Sequence, residues 1–152
     1  MMLHKEFREF LALLAGHKAR HLVVGGYAVA VHGYPRYTGD LDVFIAMDPQ
    51  TAEAVTAALL EFGFAASDVD ASLFLEPNSI VEIGREPLKL HIMNAITGVD
   101  FVDAYAHRHT VQIDNLDVPF ISYEDLLTNK SATGRGKDRV DVEELKRRRA
   151  SA

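Results

Sequence analysis

The sequence predicts an α/β (α+β) fold, a small mixed sheet flanked by helices. Three observations carry this prediction. The order of local patterns runs helix, strand, helix, strand, helix, then mostly strands, then two helices. Within it, His21–Ile45 (HLVVGGYAVAVHGYPRYTGDLDVFI) reads as a strand–glycine turn–helix–strand unit. Finally, 152 residues with 48% hydrophobic content suffice for a real core. No repeat, low-complexity stretch or linker divides the chain, so residues 1–152 are expected to form one domain with a basic C-terminal helix.

Leu3, Phe7, Phe10, Leu11 and Leu14 follow helical spacing, so a first amphipathic helix is expected over residues 3–16, ending at Gly16. Leu22-Val23-Val24 is a short apolar strand, and Gly25-Gly26 a turn into a helical segment holding His32. A second strand opens at Asp40-Leu41-Asp42. Asp48-Pro49 then supplies an N-cap and a first-turn proline for a helix whose Ala52, Val55, Leu59 and Phe62 share a face, ending at Gly63. Asp68-Val69-Asp70 falls in a loop. Ile80–Ile83 and Leu88–Met93 read as strands around a turn at Gly84–Pro87, followed by a short helix over Gly98–Tyr105. Thr110–Ile113 and Val118–Ile121 are strands flanking Asp114-Asn115. Ser122 with Asp125 forms a capping-box type of start for a helix through Ser131, and a last helix begins near Lys137.

Composition narrows the classes. There is no cysteine, which excludes disulfides and thiolate–zinc sites and makes a reducing cytoplasm the expected compartment. No apolar run approaches a membrane span or a signal peptide, so no membrane partner is expected. The net charge of −6 hides an asymmetry: eight of the sixteen Lys and Arg lie between Lys130 and Arg149, against four acids in that window. Such a distribution suits nucleic acid or nucleotide phosphates; the plainer reading is a last turn, Lys146–Arg149, that complements its helix dipole.

The chemistry concentrates in the strand–turn–helix–strand unit. A glycine pair at a strand-to-helix turn lets backbone N–H groups approach a phosphate, or simply makes a tight turn. Asp40 and Asp42, at i and i+2 on a strand, point to one face while Leu41, Val43 and Ile45 form the other. Rigidly held carboxylates of this kind suit Mg²⁺, which takes one or two carboxylates plus substrate phosphates. Asp68-Val69-Asp70 has the same spacing without a glycine turn ahead of it, and reads as solvated surface. Arg36 is placed to neutralise phosphate charge or to pair with an acid. Thr38 suits a cap or a local hydrogen bond, and His32 a packed polar side chain.

Gly25-Gly26, His32-Gly33, Arg36, Thr38 and Asp40-Leu41-Asp42 together resemble the signature of the nucleotidyltransferase superfamily with the DNA polymerase beta fold. The likeness is closest to small bacterial members, including toxin nucleotidyltransferases of the abortive-infection type. Asp125-Leu126-Leu127, Lys130, Gly134-Arg135, Lys137-Asp138 and Asp141 resemble that group's C-terminal pattern, so the likeness runs from about residue 20 to 145. The resemblance implies metal-dependent transfer of a nucleoside monophosphate from an NTP to an RNA or protein hydroxyl, with pyrophosphate leaving, and a place in a toxin–antitoxin pair with an antitoxin partner. It implies that Asp40 and Asp42 hold Mg²⁺ or Mn²⁺, that Gly25 and Gly26 contact the triphosphate, and that Lys130 lies near the phosphates, with Arg36 and Thr38 completing the nucleotide-binding set.

One position departs from the pattern. The superfamily's third carboxylate aligns with His91, on a strand whose alternation puts Lys89, His91 and Met93 on one face. An imidazole can serve as a general base or ligate a transition metal, and is a poor Mg²⁺ ligand. Glu82 on the neighbouring strand is the other carboxylate within reach. His91 therefore also leaves open a catalytically silent nucleotide- or partner-binding module of the same fold.

Overall fold

Two adjacent strands, β1 (His21–Val24) and β2 (Asp40–Ile45), form the centre of the sheet because nearly every residue in them is apolar and buried. The computed structural model describes residues 3–85 and 87–152. β1 and β2 run antiparallel, with His21 opposite Ile45 and Val24 opposite Asp42. β3 (Ile80–Arg85) and β4 (Leu88–Met93) make a hairpin on one side, and β5 (His109–Ile113) and β6 (Leu116–Phe120) one on the other. The sheet order is β3-β4-β2-β1-β6-β5. β2 pairs with β4, and β1 with β6, in parallel, while the hairpins are antiparallel, so the sheet is mixed as expected.

Register matters most at the β2–β4–β3 edge. Asp42 lies opposite His91 on β4, and His91 opposite Glu82 on β3. Because side chains alternate along a strand, these three residues form one row on one face. Leu41 and Val43, on the opposite face, are fully buried and anchor the row to the core.

The helices follow from their apolar faces and caps. α1 (Lys5–Gly16) buries Phe7, Phe10, Leu11 and Leu14 and packs on α3 (Pro49–Phe62), which buries Ala52, Val55, Ala58 and Leu59. Asp48 caps α3, accepting from the Thr51 N–H at 2.8 Å, with Pro49 in the first turn. α4 (Phe101–Ala106), α5 (Tyr123–Ala132) and α6 (Gly136–Ser151) complete the set. Ser122 caps α5, its Oγ accepting from the Asp125 N–H at 3.1 Å. No helix among the described residues is long and apolar enough to cross a membrane.

Several boundaries differ from expectation, each for a local reason. Gly25 and Gly26 do not form a separate turn: they are the first residues of α2 (Gly25–Val31), because Gly25 takes the whole bend at φ +67°. α4 starts at Phe101 rather than Gly98, since Ile96 and Val99 bridge and Asp100 caps the helix. The Asp68–Asp70 loop leads into a short 3-10 helix, Ala71–Phe74, which the sequence reading lacks; Asp70 caps it and Val69 is buried. β3 runs through Gly84 and Arg85, shortening the Gly84–Pro87 turn, of which Glu86 lies outside the described residues. Asp114 and Asn115 both have positive φ, as a two-residue hairpin turn requires.

Candidate active site

A cleft of about 550 Å³ opens where β1 passes into α2 and β2 begins. Its walls carry Gly25, Gly26, Arg36, Thr38, Asp40, Asp42, His91 and Lys130, the residues the sequence offers for the metal, the nucleotide and the chemistry. α2 brings Gly25 and Gly26, the loop before β2 brings Arg36 and Thr38, β2 brings Asp40 and Asp42, β4 brings His91 and α5 brings Lys130.

The two glycines are required by their own neighbours. A Cβ on Gly25 would sit 2.0 Å from Asp42 Oδ2, so the Asp42 carboxylate occupies the space that any side chain there would fill. A Cβ on Gly26 would lie 3.0 Å from Thr38 Oγ1. Thr38 in turn accepts from the Asp40 N–H (3.2 Å) and donates to the Asp40 carbonyl (3.1 Å), fixing the start of β2. This is the local role the sequence allowed for Thr38.

Asp42 is mostly buried, and loss of water raises its pKa above the ordinary carboxylate value. Asp40 nearby pushes in the same direction, while His91 and, more weakly, Lys130 oppose it. His91 Nδ1–H donates to Asp42 Oδ1 at 2.8 Å, and its Nε2 lies 3.4 Å from Glu82 Oε2. Glu82 also pairs with Lys89 at 3.0 Å, which holds its carboxyl below the ordinary range. The row set by strand register is thus a continuous chain, Asp42–His91–Glu82.

These donors fit a divalent cation. Asp40 and Asp42 place hard oxygens on one face of a rigid strand, and burial, more than the neighbouring Asp40, is what raises the pKa of Asp42. Among the described residues no three His, Asp or Glu converge as a closed metal cage. Two carboxylates with room beside them suit Mg²⁺, which usually completes its shell with water and substrate phosphates.

The opposite wall is a buried ion cluster. Lys130 Nζ lies 3.0 Å from Asp138 Oδ1 and 3.1 Å from Asp141 Oδ2, and all three side chains are at most 8% exposed. Arg36 Nη2 pairs with Asp141 at 3.0 Å, and Arg135 with Asp138 at 2.8 Å. Burial alone would raise Asp138, but hydrogen bonds from Thr133, Lys130 and Arg135 outweigh it and hold its pKa low. Arg36 Nε is buried without a hydrogen-bond partner. Lys130 and Arg36 both line the cleft, and α6 supplies carboxylates to both, an ion pair the sequence allows for Arg36 and does not show for Lys130. The signal was present: Asp138 and Asp141 are three apart, hence on one face of a helix.

His32 lies outside this cleft. Its Nε2–H donates to the Ile121 carbonyl at 2.7 Å and its ring packs against His109 and Tyr123. The basic end of α6 is also engaged: Arg149 stacks on Tyr123, Arg148 on Tyr34, and Arg147 and Arg148 pair with Glu144.

The architecture is similar to that of the lincosamide antibiotic adenylyltransferase LnuA in its lincomycin-bound crystal structure. That likeness has 21% identity and a TM-score of 0.63, over 95% of this chain and 97% of that one. It is similar also to a candidate nucleotidyltransferase from Thermotoga maritima, 19% identical over 94% of each chain with a TM-score of 0.65. At such identities the likeness speaks for the nucleotidyltransferase fold alone. No protein of curated function matches the sequence. One family model, described as nucleotidyltransferase of unknown function (DUF6036), matches residues 2–147, and the chain belongs to that family.

Proposed function

We propose that this chain, acting as one domain, transfers a nucleoside monophosphate from an NTP to an acceptor hydroxyl in a metal-dependent reaction. The observation that carries the reading is the pair Asp40 and Asp42, held on one face of a core strand inside the cleft. Asp40 and Asp42 would hold Mg²⁺ or Mn²⁺, which when bound supplies charge neutralisation for the triphosphate and polarises its phosphorus. Gly25 and Gly26, whose missing side chains make room for Asp42 and Thr38, bring the start of α2 to the cleft wall, and Arg36 lines the same wall while paired with Asp141. His91 orients Asp42 through Nδ1, and as a neutral imidazole its Nε2 is the ring nitrogen left to accept the hydroxyl's proton.

The acceptor class follows from analogy: an RNA or protein hydroxyl by likeness to the toxin group, or a small molecule by likeness to LnuA, an antibiotic adenylyltransferase. A toxin role with an antitoxin partner rests on that likeness only. A silent binding module is the second reading, favoured by the His91–Asp42 hydrogen bond, which engages one oxygen of a proposed metal ligand.

The test titrates Mn²⁺ and each NTP into wild type and Asp42→Asn, then follows α-³²P-labelled NMP into RNA, protein and small molecules. Asp42-dependent binding with transfer supports the enzyme. Asp42-dependent binding without transfer under any condition supports the silent module. Equal affinity in both proteins removes Asp42 from the site.

A further inference from the structure

A second hollow, of about 950 Å³, lies directly beside the catalytic cleft. The two share one wall, the segment Arg36-Tyr37-Thr38. This hollow is lined chiefly by Tyr27, Val31, Pro35, Leu88 and Val111. It shares Pro87 and Leu88 with a further, mainly apolar hollow of about 280 Å³, where Phe7, Phe62 and Phe64 contribute and Glu6 is the one charged residue among the described lining. Tyr37, on the shared wall, is 84% exposed.

Building on the nucleotidyltransferase reading, we infer that this track seats the acceptor, a small amphipathic alcohol with an apolar body and a hydroxyl-bearing head. A transferase of this kind needs two substrate sites, and the polar cleft with its carboxylates accounts for the nucleotide. A neighbouring site must deliver a hydroxyl to the Asp40 end of β2. The shared wall ends there, since Thr38 is hydrogen-bonded to Asp40 through both N–H and carbonyl.

The lining also decides what the acceptor is. Arg36 is the one Lys, Arg, Asp or Glu among the described residues of the larger hollow, and its guanidinium is committed to Asp141. With no uncommitted cation among its described lining residues, the track does not suit an RNA backbone, which is bound through phosphate neutralisation. Apolar walls over a length that spans two joined hollows favour an elongated apolar group, and volumes of this order suit a small molecule. The tail lies along Leu88 toward Phe62 and Phe64. The head passes Tyr37 and presents its hydroxyl oxygen to the α-phosphorus. That oxygen forms the new P–O bond as the α–β bond breaks, pyrophosphate leaves, and the hydroxyl proton passes to His91 or water.

The probe is n-octyl β-D-glucoside below its micelle concentration, neutral with an eight-carbon tail; glucose serves as the tail-less control. Binding is followed by amide chemical-shift perturbation and calorimetry in wild type, Leu88→Glu and Val111→Glu. Neither Leu88 nor Val111 touches the nucleotide cleft, so NTP·Mn²⁺ affinity reports whether each variant is folded. The expected result is saturable binding at the hollow's residues, weakened at least about tenfold in both variants by a carboxylate placed against the tail. NTP affinity stays unchanged, and labelled NMP transfers to octyl glucoside but not to glucose. Octyl glucoside bound equally by all three proteins, or NMP transferred to RNA or protein in preference to it, overturns the inference. Loss of Asp42-dependent NTP binding in wild type would instead strike the nucleotidyltransferase reading, while variant-sensitive binding of octyl glucoside would stand apart from it.

Discussion

Replacing Lys130 by methionine tests whether its ammonium serves the fold or the nucleotide. Methionine keeps most of the volume and removes the charge. In the native protein Nζ sits 3.0 Å from Asp138 and 3.1 Å from Asp141, and both acids are 2% exposed. Taking one partner from a buried pair costs about 3–5 kcal/mol, because the charge left behind is poorly solvated. Here neither carboxylate is left alone. Asp138 keeps Arg135 at 2.8 Å and Thr133 at 2.6 Å, and Asp141 keeps Arg36 at 3.0 Å. The lower end, about 3 kcal/mol, is therefore expected. For a chain of this size that lowers Tm by about 6–12 °C. Urea unfolding followed by far-UV circular dichroism measures the loss, and calorimetry measures NTP affinity on the folded fraction. Lys130→Met combined with Asp138→Asn should be less destabilised than the sum of the two changes, since they remove the same contact. A Lys130→Met protein within about 0.5 kcal/mol of wild type that has nonetheless lost NTP binding would refute this reasoning and assign the lysine to the phosphates.

Gly25→Ala should cost about 1–2 kcal/mol from its left-handed backbone alone and displace the Asp42 carboxylate as well. Mn²⁺ binding should fall more than stability does, and wild-type Mn²⁺ affinity in this variant would contradict the packing. Gly26→Val discriminates less, because its new methyl groups meet Thr38 whatever the nucleotide does. His21 is buried with Nε2 unpartnered, and burial holds its pKa below the ordinary 6.5. Below that ordinary value the unfolded chain takes up a proton that the folded chain refuses, so stability falls as pH drops through about 6.5. Urea midpoints across that range should show the fall in wild type and a smaller one in His21→Leu, where His32, also held low by burial, still contributes. His91→Asp should raise Mg²⁺-dependent transfer and make Tm rise more steeply with Mg²⁺, whereas His91→Ala should lower transfer with either metal. A His91→Ala protein as active as wild type would take His91 out of the chemistry.

Much of this molecule is legible in the chain because its local signals agree. Asp48-Pro49, Ser122 with Asp125, and the Asp114-Asn115 turn each act within a few residues, and each element they bound lies close to where the sequence puts it. The cleft residues from Gly25 to Asp42 are legible for the same reason, since one strand–helix–strand unit carries them all. What escapes is whatever depends on partners distant in sequence. Nothing near Gly25 shows that Asp42 will fill its missing side chain, because that contact is made by the antiparallel register that brings Val24 opposite Asp42. Nothing near Lys130 shows that two acids on the next helix will neutralise it. The 3-10 turn at Ala71–Phe74 lacks periodicity altogether and is held by the cap at Asp70 and the burial of Phe74.

The ion cluster bears on why the proposed reaction needs a metal. The cleft lining carries four cationic side chains, Arg36, Lys130, Arg135 and Lys137, and four acids, Asp40, Asp42, Glu82 and Asp138. Its formal charge is balanced before any nucleotide enters. Three of those cations are already committed to Asp138 or to Asp141 behind them, leaving Lys137 without an ion pair among the described residues. A triphosphate entering such a cleft meets the carboxylates of Asp40 and of Asp42, the latter paired with His91, and little free positive charge. Rearranging the buried pairs to free Lys130 would cost about as much as breaking them, several kcal/mol. Charge delivered with the nucleotide avoids that cost, and the Asp40–Asp42 face is where it would be received. The basic tail of the sequence therefore contributes less to the site than its composition suggests, because α6 spends its carboxylates inward at Asp138 and Asp141 and its last arginines on Tyr34, Tyr123 and Glu144.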